Sequence, residues 1–331
     1  MPNIIAPKTT KVVAKTTKVV ASGFNRTMRA NVAGISISHP DRVLFPEAGS
    51  TKLDLAHYYE TIADWILPHL VDRPLTLVRC PHGARAGPKR SGDCFYMKHS
   101  KVWTWPAIRR VRIREKTKIG EYLIADSLTA LIALVQMSVL EIHTWNSKFA
   151  DLERPDRIVI DLDPGARVAW RTVIEAARLV RQLLSVLDLE SFVKTTGGRG
   201  LHVVVPLEPA ADWTACLAFA RAFAQALVRR QPSLFTERFA KTGRDDKILV
   251  DYLRNNRTNT SIAAYSTRAR PDATVSVPVT WQELSPARKP DRFTINTVPA
   301  RLARLRTDPW KAYWRTKQRI PRHAVRALEA M

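Results

Sequence analysis

Short apolar runs separated by polar turns predict β-strands along most of this chain. Strands are predicted at residues 35–38, 43–45, 75–78, 95–97, 158–162, 192–194, 201–205 and 247–253. Apolar residues at helical spacing predict helices at residues 51–67, 128–140, 170–187 and 213–230. Because helices and strands alternate, we expect an α/β (α+β) fold in which two modules share a central cleft.

Charge separates a central body from two basic ends. Residues 1–30 hold six basic residues and no acid, and they repeat the sequence Thr-Lys-Val-Val-Ala, so we predict a disordered basic Lys/Thr tail there. Residues 311–331 are predicted to be a second basic tail. The body between them, 31–310, is predicted to consist of an N-terminal module at 31–150 and a second module at 151–310.

The body itself is basic, which favours a polyanionic partner. The chain has 53 Lys and Arg against 30 Asp and Glu, a net charge of +23, and 38 basic against 28 acidic residues lie between positions 31 and 300. Contact of lysine and arginine with a phosphate backbone is the commonest use of such a surface, although charge can also serve solubility alone. If the 1–30 tail adds unspecific DNA affinity, its deletion reduces the salt dependence of binding.

Three cysteines are too few for a disulfide scaffold in a chain of this length, so we expect a reducing, cytoplasmic compartment. The most apolar run, residues 128–140, is shorter than the roughly 20 residues of a membrane span, and we expect a buried helix and no membrane contact. A zinc site is a minor alternative, because its candidate ligands lack the usual spacing; they are Cys80, His82, Cys94 and His99.

Three aspartates on predicted strands are the first candidate site. Asp161 and Asp163 lie two residues apart at the end of a strand, so both side chains point to one face, and Asp251 ends another strand. Clustered carboxylates favour a divalent metal with oxygen ligands, and three suffice for two-metal phosphoryl transfer. The alternatives are helix caps or solvated turn residues for the pair, and a structural ion pair of Asp251 with Arg254 or Arg257.

A glycine-rich loop at residues 195–200 is the second candidate. It offers backbone N–H groups, a hydroxyl and Arg199 to an anion, and His202 follows on the next predicted strand. Because the loop leads into a strand, it is neither a dinucleotide-binding nor a Walker pattern, and an ordinary glycine hairpin is the alternative. Several arginines near Asp251 would suit a polyphosphate: Arg254, Arg257, Arg268 and Arg270.

Taken in order, these motifs resemble the polymerase domain of bacterial DNA ligase D, in the archaeo-eukaryotic primase superfamily. The resemblance covers about residues 35–310 and rests on segments 39–46, 73–81, 140–143, 161–165, 194–202, 250–255 and 265–271. It implies a template-directed nucleotidyltransferase that extends DNA by two-metal catalysis, with Mn²⁺, or alternatively Mg²⁺, bound by Asp161, Asp163 and Asp251.

The resemblance also implies roles for residues outside the carboxylate triad. It places Thr196, Arg199, His202, Arg254 and Arg268 against the incoming nucleoside triphosphate, with His143 near its sugar. DNA contacts are implied for Arg42 and Lys52, which would grip a 5′-phosphate across a gap, and for Phe95 and Tyr96, which would stack on template bases. Thr196 replaces the usual serine, and Arg199 and Arg42 replace lysines, which retains the hydroxyl and the charges.

We therefore expect gap filling and end extension in non-homologous end joining, in the bacterial cytoplasm at the nucleoid. No ligase or phosphoesterase domain fits in this sequence, so Ku and a separately encoded DNA ligase are the expected partners, with DNA and NTP or dNTP as substrates. Two alternatives remain: a primase that starts chains de novo, and a catalytically silent DNA-end-binding module. A two-metal nuclease would share the carboxylates but would have no need for the arginines.

Overall fold

The computed structural model describes residues 29–84, 94–100, 105–240 and 242–331. Its strands are β1 (Arg29–Val32), β2 (Ile35–Ser38), β3 (Val43–Phe45), β4 (Ser50–Thr51), β5 (Leu75–Arg79), β6 (Phe95–Met97), β7 (Arg109–Arg114), β8 (Ile119–Ile124), β9 (Val139–Thr144), β10 (Arg157–Pro164), β11 (Phe192–Thr195), β12 (Leu201–Pro206), β13 (Phe235–Thr236), β14 (Ile248–Asp251), β15 (Ser261–Ile262) and β16 (Pro278–Val279). Its α-helices are α1 (Lys52–Thr61), α2 (Ala63–Leu70), α3 (Leu128–Gln136), α4 (Trp170–Val186), α5 (Trp213–Arg230), α6 (Val298–Arg304) and α7 (Ala324–Glu329). Short 3-10 helices occur at Phe149–Asp151, Leu253–Asn255 and Pro290–Arg292.

Most strands belong to two sheets of six strands each, in which the spatial order of the strands differs from their order in the sequence. The first sheet has the order β15-β9-β5-β8-β7, with β6 paired to β5. The second sheet has the order β13-β14-β10-β12-β11-β16, and its strands pair antiparallel except for β13 with β14. The predicted α+β fold is confirmed, because helices pack on sheets whose strands are mainly antiparallel.

The two halves of the chain are interleaved at β15. This strand follows the second sheet's β14 in sequence, but it pairs with β9 at the edge of the first sheet, with Ser261 opposite Thr144 and Ile262 opposite His143. One hydrophobic core, which includes Leu77 of β5 and Val203 of β12, extends through both halves. The sequence boundary near residue 150 therefore does not separate two independent sheets.

Helix α1 begins where its sequence predicts. The Thr51 hydroxyl accepts the Asp54 amide, and the Asp54 carboxylate accepts the Thr51 amide at 2.8 Å, which satisfies two N–H groups that the helix itself leaves free. The predicted helix at residues 51–67 is divided at Ile62 into α1 and α2, and α2 retains Pro68 in its last turn.

The predicted helix at residues 128–140 is too long. Helix α3 ends at Gln136, Ser138 has a φ of 61°, and Val139 already belongs to β9. Most of the segment is buried and apolar, so its hydrophobicity could not distinguish a helix from the central strand that follows it. Strands β7 and β8 were not predicted; β7 alternates exposed arginines with buried Val111 and Ile113.

The ends of the chain differ in what the structure describes. The predicted disordered tail lies almost entirely outside the described residues, and β1 begins at Arg29, within the predicted tail. Residues 311–331, predicted as a tail, are packed on the body: Ala324 and Leu328 are buried, and Arg229 of α5 donates to the Leu328 carbonyl at 2.6 Å. These apolar contacts hold the segment despite its positive charge.

The cysteines depart from the expectation of free thiols. Cys80 and Cys94 form a disulfide between the ends of β5 and β6, and Cys216 is a buried free thiol. The two sulfurs are therefore not available as zinc ligands. No helix within the described residues is long and apolar enough to cross a membrane.

Candidate active site

Strand register places four ionisable side chains in one row across the second sheet. Asp161 of β10 lies opposite Asp251 of β14 on one side and His202 of β12 on the other, and Lys194 of β11 lies opposite His202. Residues that face one another across antiparallel strands project to the same side of the sheet. Asp163, two residues further along β10, shares that face. The opposite face of β10 is apolar and packs into the core.

A cavity of about 510 Å³ opens above this row. Most of the site residues predicted from the sequence line it, namely Tyr96, His143, Asp161, Asp163, Thr196, Arg199, His202, Asp251, Arg254 and Arg268. The cavity therefore brings together predicted site residues from both sheets. Phe95, Arg42 and Lys52 do not line the cavity.

Guanidinium groups ion pair with the three carboxylates. Arg254 bridges two of them, with its Nε 3.2 Å from Asp161 and its Nη2 2.8 Å from Asp251. Arg244 lies 2.9 Å from the third carboxylate, that of Asp163. The alternative ion pair of Asp251 with Arg254 is thus present in the structure, whereas Arg257 pairs with Glu153.

The two opposed carboxylates differ in their electrostatic environment. Burial by itself raises the pKa of Asp161, but the neighbouring His202 and Arg254 hold it well below its usual range. The pKa of Asp251 is raised, because burial and the charges of Asp161 and Asp163 outweigh the attraction of Arg254. The site therefore favours the charge on Asp161 and opposes the charge on Asp251.

Burial disfavours the charged form of the two basic residues in the row, His202 and Lys194. Burial and the neighbouring Lys194 lower the pKa of His202 to about 4, so that His202 is neutral at pH 7. Its Nε2 lies 3.3 Å from the Asp161 carboxylate, while its buried Nδ1 has no hydrogen-bond partner among the described residues. We assign the proton to Nε2 on this basis, which makes His202 a neutral donor to Asp161. Burial also lowers the pKa of Lys194, whose Nζ donates to Ser276 at 2.7 Å.

The donor set fits a hard divalent cation. Asp161, Asp163 and Asp251 offer only carboxylate oxygens from one face, and burial together with the charges of Asp161 and Asp163 raises the pKa of Asp251. Within the described residues, no group of three or more His, Cys, Asp or Glu side chains is arranged to hold a metal ion. Arg254 bridges Asp161 and Asp251, so a cation shared by these two carboxylates would require Arg254 to move.

The glycine-rich loop is a hairpin between β11 and β12. Thr196 donates to the Gly200 carbonyl at 3.2 Å and accepts the Gly198 amide at 3.3 Å. Gly200 packs against the Leu162 carbonyl so closely that a Cβ there would overlap it. Gly197 has a φ of +68°, in the left-handed region that favours glycine. The hairpin alternative is thus correct for the backbone, and the same hairpin brings Thr196 and Arg199 to the cavity.

Glu141 fixes two side chains on the first-sheet side of the cavity. Its carboxylate lies 2.8 Å from His143 Nε2 and 3.0 Å from Arg268 Nε, and it also accepts the Ala269 amide at 2.9 Å. Although burial alone raises the pKa of Glu141, the His143 hydrogen bond and the Arg268 charge lower it to about 2. Arg268 Nη1 also donates to the Thr196 carbonyl at 3.0 Å, which ties this cluster to the hairpin.

The predicted DNA-contact residues fall into two groups. Phe95 and Tyr96 are exposed on β6, by 45% and 71%, and are thus accessible to a stacking partner. Arg42 is partly buried and donates to the Pro81 carbonyl at 2.9 Å. Lys52 is only 3% exposed, and its Nζ lies 2.8 Å from Gln136; burial and the charge of Arg42 lower its pKa to about 8.

Sequence reasoning missed three residues that hold the site together. Glu141 and Lys194 lie in the segments 140–143 and 194–202, but no role was predicted for either of them, and none was predicted for Arg244. A carboxylate two residues before His143 in an otherwise apolar strand was a usable signal for Glu141, since an unpaired buried charge is costly. Arg244 lies in an irregular segment before β14, where sequence carried no signal of its ion pair with Asp163.

Comparison with known proteins agrees with this fold. The family model of the LigD primase-polymerase domain matches residues 51–310. The multifunctional non-homologous end joining protein LigD of Pseudomonas aeruginosa is 41% identical over 293 residues, which are 88% of this chain and 34% of that protein. Its namesake in Mycolicibacterium smegmatis is 35% identical over 76% of this chain and 32% of that protein.

A solved structure is similar as well. The polymerase domain of Mycobacterium tuberculosis ligase D in complex with DNA has a TM-score of 0.76 and 31% identity, over 84% of this chain and 97% of that one. The chain thus belongs to the LigD primase-polymerase domain family. It spans about a third of the length of the curated relatives described above.

Proposed function

We propose that this protein is a metal-dependent, template-directed polymerase that fills gaps and extends DNA ends in non-homologous end joining. The observation that carries the proposal is the single cavity in which three carboxylates, the glycine hairpin and several arginines meet. Carboxylates alone would serve many hydrolases. Arginines beside them suit a substrate that carries a polyphosphate.

In this proposal, Asp161, Asp163 and Asp251 hold two Mn²⁺ or Mg²⁺ ions. The ions would lower the pKa of a primer 3′-hydroxyl and neutralise charge on the phosphates. His202 orients Asp161 by donating from Nε2, and the carboxylate stays ionised because its pKa is low. No side-chain base is needed at the 3′-hydroxyl.

The nucleotide would bind on the side of the glycine hairpin. Thr196 and Arg199 would face its phosphates, together with Arg268, which Glu141 already orients. Arg254 would exchange its carboxylate partners for phosphate oxygens, since a guanidinium binds either in the same forked geometry. His143, held by Glu141 2.8 Å away, would lie beside the sugar.

DNA would approach over the exposed edge of the first sheet. Phe95 and Tyr96 offer two accessible rings for stacking on template bases. Tyr96 also lines the cavity and lies 6.1 Å from the His143 ring, so a base stacked there would be next to the incoming nucleotide. Arg42 and Lys52 would recognise a 5′-phosphate, and Lys52 would have to leave its buried position to do so.

The names of the relatives support the cellular role. Both curated relatives are called non-homologous end joining proteins, and the similar polymerase domain was solved with DNA. We extend that role to this chain, with 5′-phosphorylated gaps or ends, NTP or dNTP as substrates, and Ku and a DNA ligase as partners.

The decisive experiment is extension of a labelled primer on gapped DNA that carries a 5′-phosphate, with ribo- and deoxyribonucleotides and Mn²⁺. The test variant is Asp161→Ala with Asp163→Ala. The matched control is Asp245→Ala with Asp246→Ala, which removes two nearby exposed carboxylates that pair with Arg167. We expect extension by the parent and the control and none by the test variant.

Two other results would change the assignment. If the parent and both variants bind the phosphorylated gap without extending the primer, the protein is an end-binding module and the catalytic proposal fails. If the parent starts chains on single-stranded DNA without any primer, it is a primase. Extension by the test variant equal to that of the parent would remove the aspartates from the mechanism.

A further inference from the structure

A second cavity, of about 320 Å³, lies behind the glycine hairpin. It meets the first cavity at three residues that line both: Gly198, Arg199 and Arg270. A Cβ at Gly198 would lie 3.4 Å from the Thr196 hydroxyl and 3.8 Å from Arg270, so the missing side chain leaves room at the junction. The junction is thus lined by two arginines and by a glycine without a side chain.

The arginines at this junction extend toward the second cavity. Arg199 Nη2 donates to the carbonyl of Val168 at 3.0 Å, and Val168 lines only the second cavity. Arg270 is half exposed, and Lys289 adds a third positive charge to the second cavity. A chain of phosphates that begins at the aspartates would therefore find cations beyond the hairpin as well.

The far wall of the second cavity is unlike a phosphate site. It includes apolar side chains and the indole of Trp170, whose Nε1 donates to the Arg288 carbonyl at 3.0 Å and so fixes the ring. Two carboxylates, those of Asp272 and Asp291, also line the cavity. Asp272 Oδ1 is buried there without a hydrogen-bond partner among the described residues; its nearest cation, Arg270 Nε, is 3.8 Å away. A carboxylate oxygen without a hydrogen bond and an aromatic ring, which line the same cavity, suit a group with hydroxyl or amine donors, such as a nucleoside.

We infer that the second cavity binds a nucleoside esterified to the terminal phosphate of the nucleotide substrate, so that dinucleoside polyphosphates are accepted as substrates. This inference rests on the proposed function and deepens it. In the reaction, the primer 3′-oxygen bonds to the α-phosphorus, and the bond from that phosphorus to the α–β bridging oxygen breaks. The hydroxyl proton passes to solvent, and with a dinucleoside tetraphosphate as substrate a nucleoside 5′-triphosphate leaves in place of pyrophosphate.

The test compares diadenosine tetraphosphate with ATP on DNA with a one-nucleotide gap opposite thymine, under single-turnover conditions with release of ATP measured. We expect the parent to use diadenosine tetraphosphate with a kcat/KM within tenfold of that for ATP. Trp170→Ala and Asp272→Asn are each expected to lower the ratio of the two kcat/KM values at least tenfold, with ATP use within twofold of the parent. Trp314→Ala, a half-exposed tryptophan elsewhere, is the matched control and should leave the ratio unchanged.

Use of ATP together with a preference of more than 100-fold against diadenosine tetraphosphate would overturn the inference. So would a ratio that neither cavity variant changes. Calorimetric titration without DNA separates this failure from failure of the proposed function. If ATP is not incorporated, the polymerase proposal fails, but binding of diadenosine tetraphosphate that Trp170→Ala weakens tenfold still supports the cavity's ligand. Absence of such binding overturns it.

Discussion

The two sheets contribute to the same cavity by different physical means. In the second sheet, backbone register alone puts Asp251, Asp161 and His202 in one row. On the side of the first sheet, two cavity residues depend on one side chain, because Glu141 of β9 holds both His143 and Arg268. The face on which a register-determined side chain lies follows from the alternation of side chains along its strand. A side chain held by a buried carboxylate depends instead on the partners of that carboxylate and on pH.

The largest expected effects come from the register-determined carboxylates. Asp161→Asn and Asp251→Asn should each reduce nucleotide incorporation by about 10³-fold or more, since either change removes a charged metal ligand. Their effects on stability should differ. In metal-free buffer, Asp161→Asn lowers Tm because the site favours that charge, while Asp251→Asn leaves Tm equal or higher because its charge is disfavoured.

Primer extension and thermal unfolding of both variants measure these effects. Asp246→Asn, an exposed carboxylate paired with Arg167, is the control and should change neither quantity. Equal losses of Tm in the two asparagine variants would show that the opposed carboxylates do not differ as described.

Glu141, the buried carboxylate of the first sheet, should affect the pH dependence of stability in acid. The pKa of Glu141 lies at about 2, below its ordinary value of 4.5, so its ionised form stabilises the folded state above pH 4.5. That stabilisation, on the order of 3 kcal/mol, is lost as the pH falls from 4.5 toward 2. Glu141→Gln should therefore lower Tm at pH 7 and flatten its fall in acid, and it should raise the KM for the nucleotide.

Thermal unfolding as a function of pH, beside nucleotide titrations, measures this prediction. Glu153→Gln removes an exposed partner of Arg257 and is the control. A Glu141→Gln variant with the acid profile and KM of the parent would refute the central role given to this carboxylate.

The tight approach of the hairpin to β10 predicts a difference between two glycines. A Cβ at Gly200 would overlap the Leu162 carbonyl, which lies between Asp161 and Asp163, and a backbone atom cannot move aside cheaply. Gly200→Ala should cost about 2 kcal/mol of unfolding free energy and reduce incorporation. Gly198→Ala meets only ordinary contacts and should cost less than half as much. Denaturant titrations that rank the two alanines in the opposite order would contradict this packing.

The smallest expected effects are those of substituting Arg42 and Lys52, and the two substitutions should differ. Arg42→Gln should reduce the preference for 5′-phosphorylated over unphosphorylated gaps about tenfold, as expected for loss of a charged hydrogen bond to phosphate. Lys52→Gln should reduce the preference less and should also lower Tm, because Lys52 Nζ is buried against Gln136. Binding titrations on the two kinds of gap measure the preference. Loss of the preference in Lys52→Gln at an unchanged Tm would show that this lysine turns outward to bind DNA.

Much of the second sheet could be predicted from the sequence because its signals are local. Alternation along β10 placed Asp161 and Asp163 on one face, and the predicted helix at residues 213–230 coincides with α5. Apolar patterning failed where α3 leads into the fully buried strand β9, so the first two residues of β9 were predicted as part of the helix. Long-range pairing carried no signal in the sequence pattern, and so neither the ion pair of Arg244 with Asp163 nor the disulfide of Cys80 with Cys94 was predicted.

The pairing of β15 with β9 has a consequence for synthesis of the chain on the ribosome. Strand β9 is complete when Thr144 has emerged, but its edge partner Ser261 emerges roughly 120 residues later, on the order of ten seconds of translation. Until then the nascent first sheet presents an unpaired edge, which is a template for association with other chains. The N-terminal half should therefore aggregate when expressed alone to residue 150, and recover when the later half is supplied.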